Sequence, residues 1–341
     1  MFFIPGQQMG VITFRSPAIT LFGGGEGYPR RFGHNVWQLG DDLTVSRGSH
    51  TFKMGMLYER TQSNATVSRQ YGGQYYFQGL QSFLTATPVE FQGDIPASDN
   101  LRGWRQNLFG FYFQDDFQVR SNLTLNLGLR YEFTTIPTEV IGKLANFPNY
   151  LTDTAPKVGD PWFEGSYKDF APRVGLSWDP WGNGKTAIRA GFGMYFDHLV
   201  AQPLNRAMTR IAPFSQTVRL TGTAAQFPRV DPSRLVEPPL TALVNYALQN
   251  KMFDPTKIGY SFSIQQEIMP QMVLNAAYAG SHSYHQLVGS NGNNAFPQIL
   301  EDGTKFFPCR IALLPGQVCP AASFPFRRNP ALGQLQFLIT P

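Results

Sequence analysis

Between Phe109 and Phe133 the chain reads FGFYFQDDFQVRSNLTLNLGLRYEF, and this stretch limits the fold more tightly than any other. From Leu123 onward, Leu123, Leu125, Leu127, Leu129, Tyr131 and Phe133 alternate with Thr124, Asn126, Gly128, Arg130 and Glu132. A period of two puts every apolar side chain on one face of a pleated strand. The first half repeats the pattern with Phe109, Phe111, Phe113, Phe117 and Val119, and Arg120-Ser121-Asn122 between the halves is short enough for a hairpin. Pairing Val119 with Leu123 sets Phe117 opposite Leu125, Phe113 opposite Leu129 and Phe109 opposite Phe133. All the apolar residues then share one face, as a hairpin with one buried face requires.

Three further hairpins follow the same rule. Trp37, Leu39, Leu43 and Val45 lead through Arg47-Gly48-Ser49-His50 to Phe52, Met54, Met56 and Tyr58. Val174, Leu176 and Trp178 precede the turn signal Pro180-Trp181-Gly182-Asn183-Gly184, and Ile188, Ala190, Phe192, Met194 and Phe196 return. Ile258, Tyr260, Phe262, Ile264 and Ile268 pass through Met269-Pro270-Gln271 to Met272, Leu274, Ala276 and Tyr278. The expected architecture is all-β: about eight antiparallel strands in four hairpins at about 35–60, 104–134, 170–197 and 257–283. The segments between hairpins, roughly 61–103, 135–169 and 197–256, are rich in Gly, Pro, Asn, Gln and Thr and read as long and irregular.

Short turns alternating with long connections are unusual in a compact soluble domain. They are expected in a transmembrane β-barrel, whose strands alternate apolar-out and polar-in. Composition agrees. Only 15% of the 341 residues are charged and 14% are aromatic, with 33 Gly and 26 Pro. Aromatic rings recur near strand ends (Trp37, Phe117, Trp178, Phe196, Tyr260, Tyr278), where an interfacial girdle lies in such barrels. The competing architecture is a soluble β-sandwich, whose strands also alternate. Mean hydropathy is -0.22, and no run reaches the roughly 18–20 apolar residues of a spanning helix. The net charge of +5 is scattered, with adjacent basic pairs only at Arg30-Arg31 and Arg327-Arg328, so nucleic acid is not an expected partner. The segment MFFIPGQQMG does not have the pattern of a secretory signal peptide.

Several blocks resemble TonB-dependent outer-membrane receptors, particularly the Oar-like branch. They are Tyr112-Phe113-Gln114-Asp115-Asp116-Phe117 with Leu123 to Glu132, and Phe170-Ala171-Pro172-Arg173-Val174-Gly175-Leu176-Ser177-Trp178-Asp179-Pro180 with Gly184 to Gly193. Ser261 to Glu267 with Tyr278-Ala279-Gly280-Ser281 is similar in kind. The resemblance implies a 22-stranded barrel around a plug domain, sitting in outer-membrane lipid and importing a scarce ligand with energy relayed by TonB, ExbB and ExbD. The ligand would be of oligosaccharide, peptide or siderophore class. Against that pattern the chain is expected to be an internal part of a barrel, open or incompletely closed, with its long loops on one side; eight strands could also close on their own. A non-energised structural or adhesion barrel is the alternative function.

Catalysis is not expected. Asp41-Asp42 and Asp115-Asp116 are adjacent on strands and so point to opposite faces. Gly23-Gly24-Gly25-Glu26-Gly27 has no following Lys-Ser/Thr, and no cofactor motif is present. His282 and His285 read as a solvated loop without further metal ligands, and His34, His50 and His198 as isolated. Cys309 and Cys319 flank a short loop and are expected to form one structural disulfide in an exported protein. Tyr112, Gln114, Arg130, Glu132, Arg189, Tyr195 and Gln265 are the expected lumen-facing residues. Tyr71, Tyr75, Tyr76 and Phe77 form the aromatic loop segment best suited to stacking on a ligand. One residue pair resists the pattern: strict alternation places Asp41 and Asp115 on the apolar face, which a bulge or an interfacial position would relieve.

Overall fold

The computed structural model describes residues 3–16, 19–24, 30–68, 70–159, 161–199, 209–242, 245–306 and 327–340. Eight long strands form one antiparallel sheet in strict chain order. They are β1 (Arg30–Arg47), β2 (His50–Val67), β3 (Leu101–Arg120), β4 (Leu123–Thr134), β5 (Asp169–Trp178), β6 (Thr186–Phe196), β7 (Thr256–Met269) and β8 (Met272–Tyr284). The sheet is open, with β1 and β8 as its two ends. The hairpins match the periodic segments but run further: β1 and β2 have 18 residues each and β3 has 20. In this order the four short turns lie at one end of the sheet and the three long connections at the other.

The central register is as the alternation requires: Phe117 pairs with Leu125, Phe113 with Leu129 and Phe109 with Phe133. The turn itself differs. Arg120, not Val119, pairs with Leu123, and the register shifts between Gln118 and Arg120. Val119 is therefore bulged, and a two-residue turn plus one bulge preserves the register that a three-residue connection would give. The β7–β8 hairpin uses the same device, with a shift between Glu267 and Met269. At the β1–β2 turn Gly48 has φ +61°, a conformation side-chain-bearing residues seldom adopt.

One rung crosses all eight strands: Val45, Phe52, Asp115, Leu127, Val174, Phe192, Tyr260 and Gly280. Most of its large apolar members stay open to solvent, with Leu127 43%, Val174 48%, Phe192 42% and Tyr260 44% exposed, and Phe52 is half-buried. Among the described residues no second sheet packs on this face, as a sandwich would require. An apolar face that spans a whole eight-strand sheet far exceeds the patches that soluble monomers leave open.

Asp115 is the only charged member of that rung. The register is unbroken around it, so no bulge turns it away. Instead His50, near the short-turn end, meets Asp115 Oδ2 through Nδ1 at 2.7 Å. The His50 ring stacks on Phe117 at 4.1 Å and on Phe52 at 5.4 Å between centroids. The carboxylate is thus held by a cationic or hydrogen-bonding partner that is itself sandwiched by aromatic rings, which makes its place among apolar residues tolerable.

The long connections are mostly irregular, as their composition suggests, but they carry short strands and cores of their own. Gln74–Phe77 and Glu90–Asp94 from one and Thr217–Thr221 from another join Val11–Phe14 and Phe22–Gly23 in a five-stranded sheet. A core of Phe3, Ile12, Phe14, Tyr75, Phe77 and Phe91 closes beneath it. Two further cores form around Trp104 and Trp162, and around Phe147 and Leu335. Together these segments make a folded cap at the long-connection end.

Candidate functional site: the polar face and its loop-side rim

The face opposite the apolar rung is polar, and the register sets its residues side by side. One rung runs Asp42, Gly55, Tyr112, Arg130 and Ala171. The Tyr112 hydroxyl donates to Asp42 Oδ1 at 2.6 Å across Gly55. A Cβ on Gly55 would lie 2.3 Å from that oxygen and 2.6 Å from the Tyr112 ring, so only glycine lets the two meet. Arg130 is ion-paired with Glu132. Asp116 collects Lys53 Nζ at 2.7 Å, Asn126 Nδ2 at 2.6 Å and Gln114 Nε2 at 2.8 Å. Arg189 donates to Gln265 Oε1 at 2.7 Å, and the Arg173 guanidinium lies 5.0 Å from the Tyr195 ring centroid. By register Tyr112, Gln114, Arg130, Glu132, Arg189, Tyr195 and Gln265 share this one face of the sheet, and they are engaged with neighbours. Arg173 and Lys53, their partners, carried no signal beyond their position in the alternation.

A neighbouring rung is small: Gln114, Gly128, Arg173, Gly193, Gly259 and Ser281. With so little side-chain volume, an open hollow of about 730 Å³ forms here. Arg173, Lys257 and Tyr195 supply its charge and its aromatic surface.

The aromatic loop segment needs correction. Tyr75 and Phe77 are wholly buried in the cap core, where Tyr75 packs edge-on against Phe3 at 4.8 Å and its hydroxyl donates to the Gln226 carbonyl. Burial pushes the Tyr75 phenol above its ordinary pKa. Both rings are core residues because Gln74–Phe77 pairs on both sides, with Val11–Phe14 and Glu90–Asp94. Tyr76 is half-buried and Tyr71 exposed, so only these two remain accessible in any degree. Cys309 and Cys319 lie outside the described residues. His282 falls within β8 rather than beyond it, and His285 stacks on Phe253 at 4.7 Å.

At the loop-side end of the polar face, four consecutive strands bring a cluster together. Glu132 lies near the end of β4, Asp169 opens β5, His198 follows β6 and Asp254 precedes β7. His198 Nδ1 meets Asp254 Oδ2 at 2.8 Å, and its Nε2 stands 3.9 Å from Glu132 Oε2, beyond hydrogen-bond reach. The Leu199 amide donates to Asp254 Oδ1 at 3.1 Å, and Ser166 to Asp169 Oδ1 at 3.1 Å. Asp169 Oδ2 and His198 Nε2 are buried without a hydrogen-bond partner. Burial disfavours a charged His198, but the hydrogen bond to Asp254 and the attraction of Asp254 and Glu132 outweigh it and push the imidazole up to about 9. Sequence reading treats His198 as isolated because its partners are remote in the chain; only strand order unites them.

Residues 3–336 match the family model described as an outer membrane beta barrel domain. The chain belongs to this family. It is 23% identical over 215 residues to the TonB-dependent transporter Oar of Myxococcus xanthus, covering 57% of this chain and 18% of that protein. It is also similar to the outer membrane transporter YddB of Escherichia coli, with a TM-score of 0.49 and 12% identity, covering 91% of this chain and 29% of that one. The ferric-catecholate import receptor Fiu of Escherichia coli gives a TM-score of 0.35 and 12% identity, covering 84% of this chain and 35% of that one. The barrel chain thus spans less than a fifth of its curated relative and under a third of YddB.

Proposed function

We propose that this chain forms part of the barrel wall and loop-side cap of a TonB-dependent outer-membrane receptor that imports a scarce ligand. The observation that carries the reading is the division of one eight-strand sheet into an open apolar face and a hydrogen-bonded polar face. The polar face lines the lumen in this reading, with Tyr112, Gln114, Arg130, Glu132, Arg189, Tyr195 and Gln265 on the wall. The short turns, including Ser121-Asn122, face the periplasm, and the cap faces outward. Their mutual hydrogen bonds suit a wetted wall more than a tight ligand site. The relationship to Oar supports energised transport over a passive barrel, and the chain contributes no catalytic step. Ligand contact would come from exposed cap residues such as Tyr71 and from the hollow beside Arg173 and Lys257.

The experiment is a binding titration between the full-length protein in detergent and the periplasmic domain of TonB. A saturable one-to-one complex is expected. No complex, with the barrel correctly folded, would move the assignment to the non-energised structural or adhesion barrel.

A further inference from the structure

Among the described residues, one group of His, Cys, Asp and Glu brings a ligating atom from each member within 4.8 Å of the others: Asp169, His198 and Asp254. All three are shielded. Asp169 is 4% exposed, Asp254 6%, and the His198 side chain 8%. Two buried carboxylates side by side repel each other unless a proton or a cation lies between them. Asp169 Oδ2 has no hydrogen-bond partner, and His198 Nε2 has only Glu132 at 3.9 Å. A buried carboxylate oxygen without a hydrogen bond, beside a second carboxylate and a ring nitrogen, makes an unfilled coordination set.

We propose that Asp169, His198 and Asp254 bind a divalent transition-metal cation of the zinc or manganese class at the loop-side rim of the sheet. One imidazole with two carboxylates is a donor set suited to these ions. Coordination through Nδ1, which meets Asp254 Oδ2 at 2.8 Å, would leave Nε2 facing Glu132, a carboxylate placed as the outer partner of a metal-binding histidine. Charge agrees once the ion displaces the imidazole proton: Glu132, Asp169 and Asp254 bring three negative charges and Arg130 one positive, leaving two for the ion to balance. The aliphatic and aromatic core containing Leu199, Met252 and Phe163 keeps bulk water away.

The consequence is mechanical. The ligands come from the start of β5, the residue pair after β6 and the residue pair before β7. One ion would therefore fasten the roots of two long connections to three adjacent strands. This inference does not depend on transport and stands for a passive barrel as well.

The test uses tag-free full-length protein, folded in detergent and stripped with EDTA. It is titrated with zinc chloride, with manganese and calcium chloride as separate arms, and bound metal is counted after gel filtration. One zinc or manganese per chain is expected, with a rise in thermal midpoint. Asp169→Asn and His198→Gln should each weaken binding at least about tenfold and abolish that rise. Metal-free Asp169→Asn should melt no lower than metal-free wild type, because it loses a buried repulsion. No stoichiometric uptake by the wild type, or uptake unchanged in Asp169→Asn, would overturn the proposal, as would a preference for calcium. If the variants do not fold, cobalt bound to the wild type decides: an imidazole-containing spectrum at one equivalent supports the site, and its absence refutes it.

Discussion

In the eight-strand wall, Leu127, Phe192 and Tyr260 sit on one rung and all three are exposed, whereas in the cap Tyr75, Phe77 and Phe91 are completely shut away. Both regions are β-sheet and both are rich in aromatic rings. They differ in what covers the rings. The cap covers its own and so has the burial pattern of a soluble domain, while the wall leaves an apolar face exposed, the face assigned to lipid in the proposed reading. Water-to-lipid transfer supports the wall and side-chain packing supports the cap, so the two should respond differently to the same kind of substitution.

The largest effect is expected in the cap. Phe77→Ala should remove about 3–5 kcal/mol from its core. Limited proteolysis should then cut the connections at lower denaturant, while the heat-modifiable gel mobility of the folded barrel persists. Equal loss of both would show that cap and wall fold as one unit. Leu127→Arg should cost about 2–4 kcal/mol in vesicle-folding titrations, the range for a cation on a lipid-facing strand. The matching change on the polar face, Gln114→Arg, should cost far less, and equal costs would remove the distinction between the faces.

A smaller effect is expected where the wall breaks its own rule. His50→Ala leaves the Asp115 carboxylate, 16% exposed, without its partner, at a cost of about 1–3 kcal/mol. Replacing both residues with leucine should recover most of that loss; a double variant as unstable as the single would mean that the pair matters for something other than mutual satisfaction. The smallest effect belongs to the Lys143–Asp99 ion pair of the cap, where Asp99 is about half exposed. Lys143→Ala should cost under about 1 kcal/mol, and less in high salt.

The same contrast explains what could be read from the chain. In the wall each residue has one of two environments, so the alternation at 123–133 determines face and register together. Even the bulge at Val119 leaves the Phe117–Leu125 pairing in place. In the cap, Gln74–Phe77 has four residues and pairs with distant segments on both sides, so no period of two survives. Tyr75 and Phe77 therefore read as an exposed aromatic loop when they are core. The rim cluster was hidden for a related reason. Asp169, His198 and Asp254 sit at the ends of three different strands, and no local spacing announces that β5, β6 and β7 are neighbours. Asp115 lies between these cases: its oddness shows in the sequence, while its remedy, a histidine on the neighbouring strand, appears only in the register.

The central claim, one sheet with lipid on one side and water on the other, is tested most directly by scanning β4. Single cysteines at positions 124 to 131, in full-length protein lacking Cys309 and Cys319, would carry a fluorophore in reconstituted vesicles. Quenching by brominated lipid should peak at 125, 127, 129 and 131, and quenching by an aqueous agent at 124, 126, 128 and 130. Uniform aqueous quenching along the strand, with no period of two, would contradict the account.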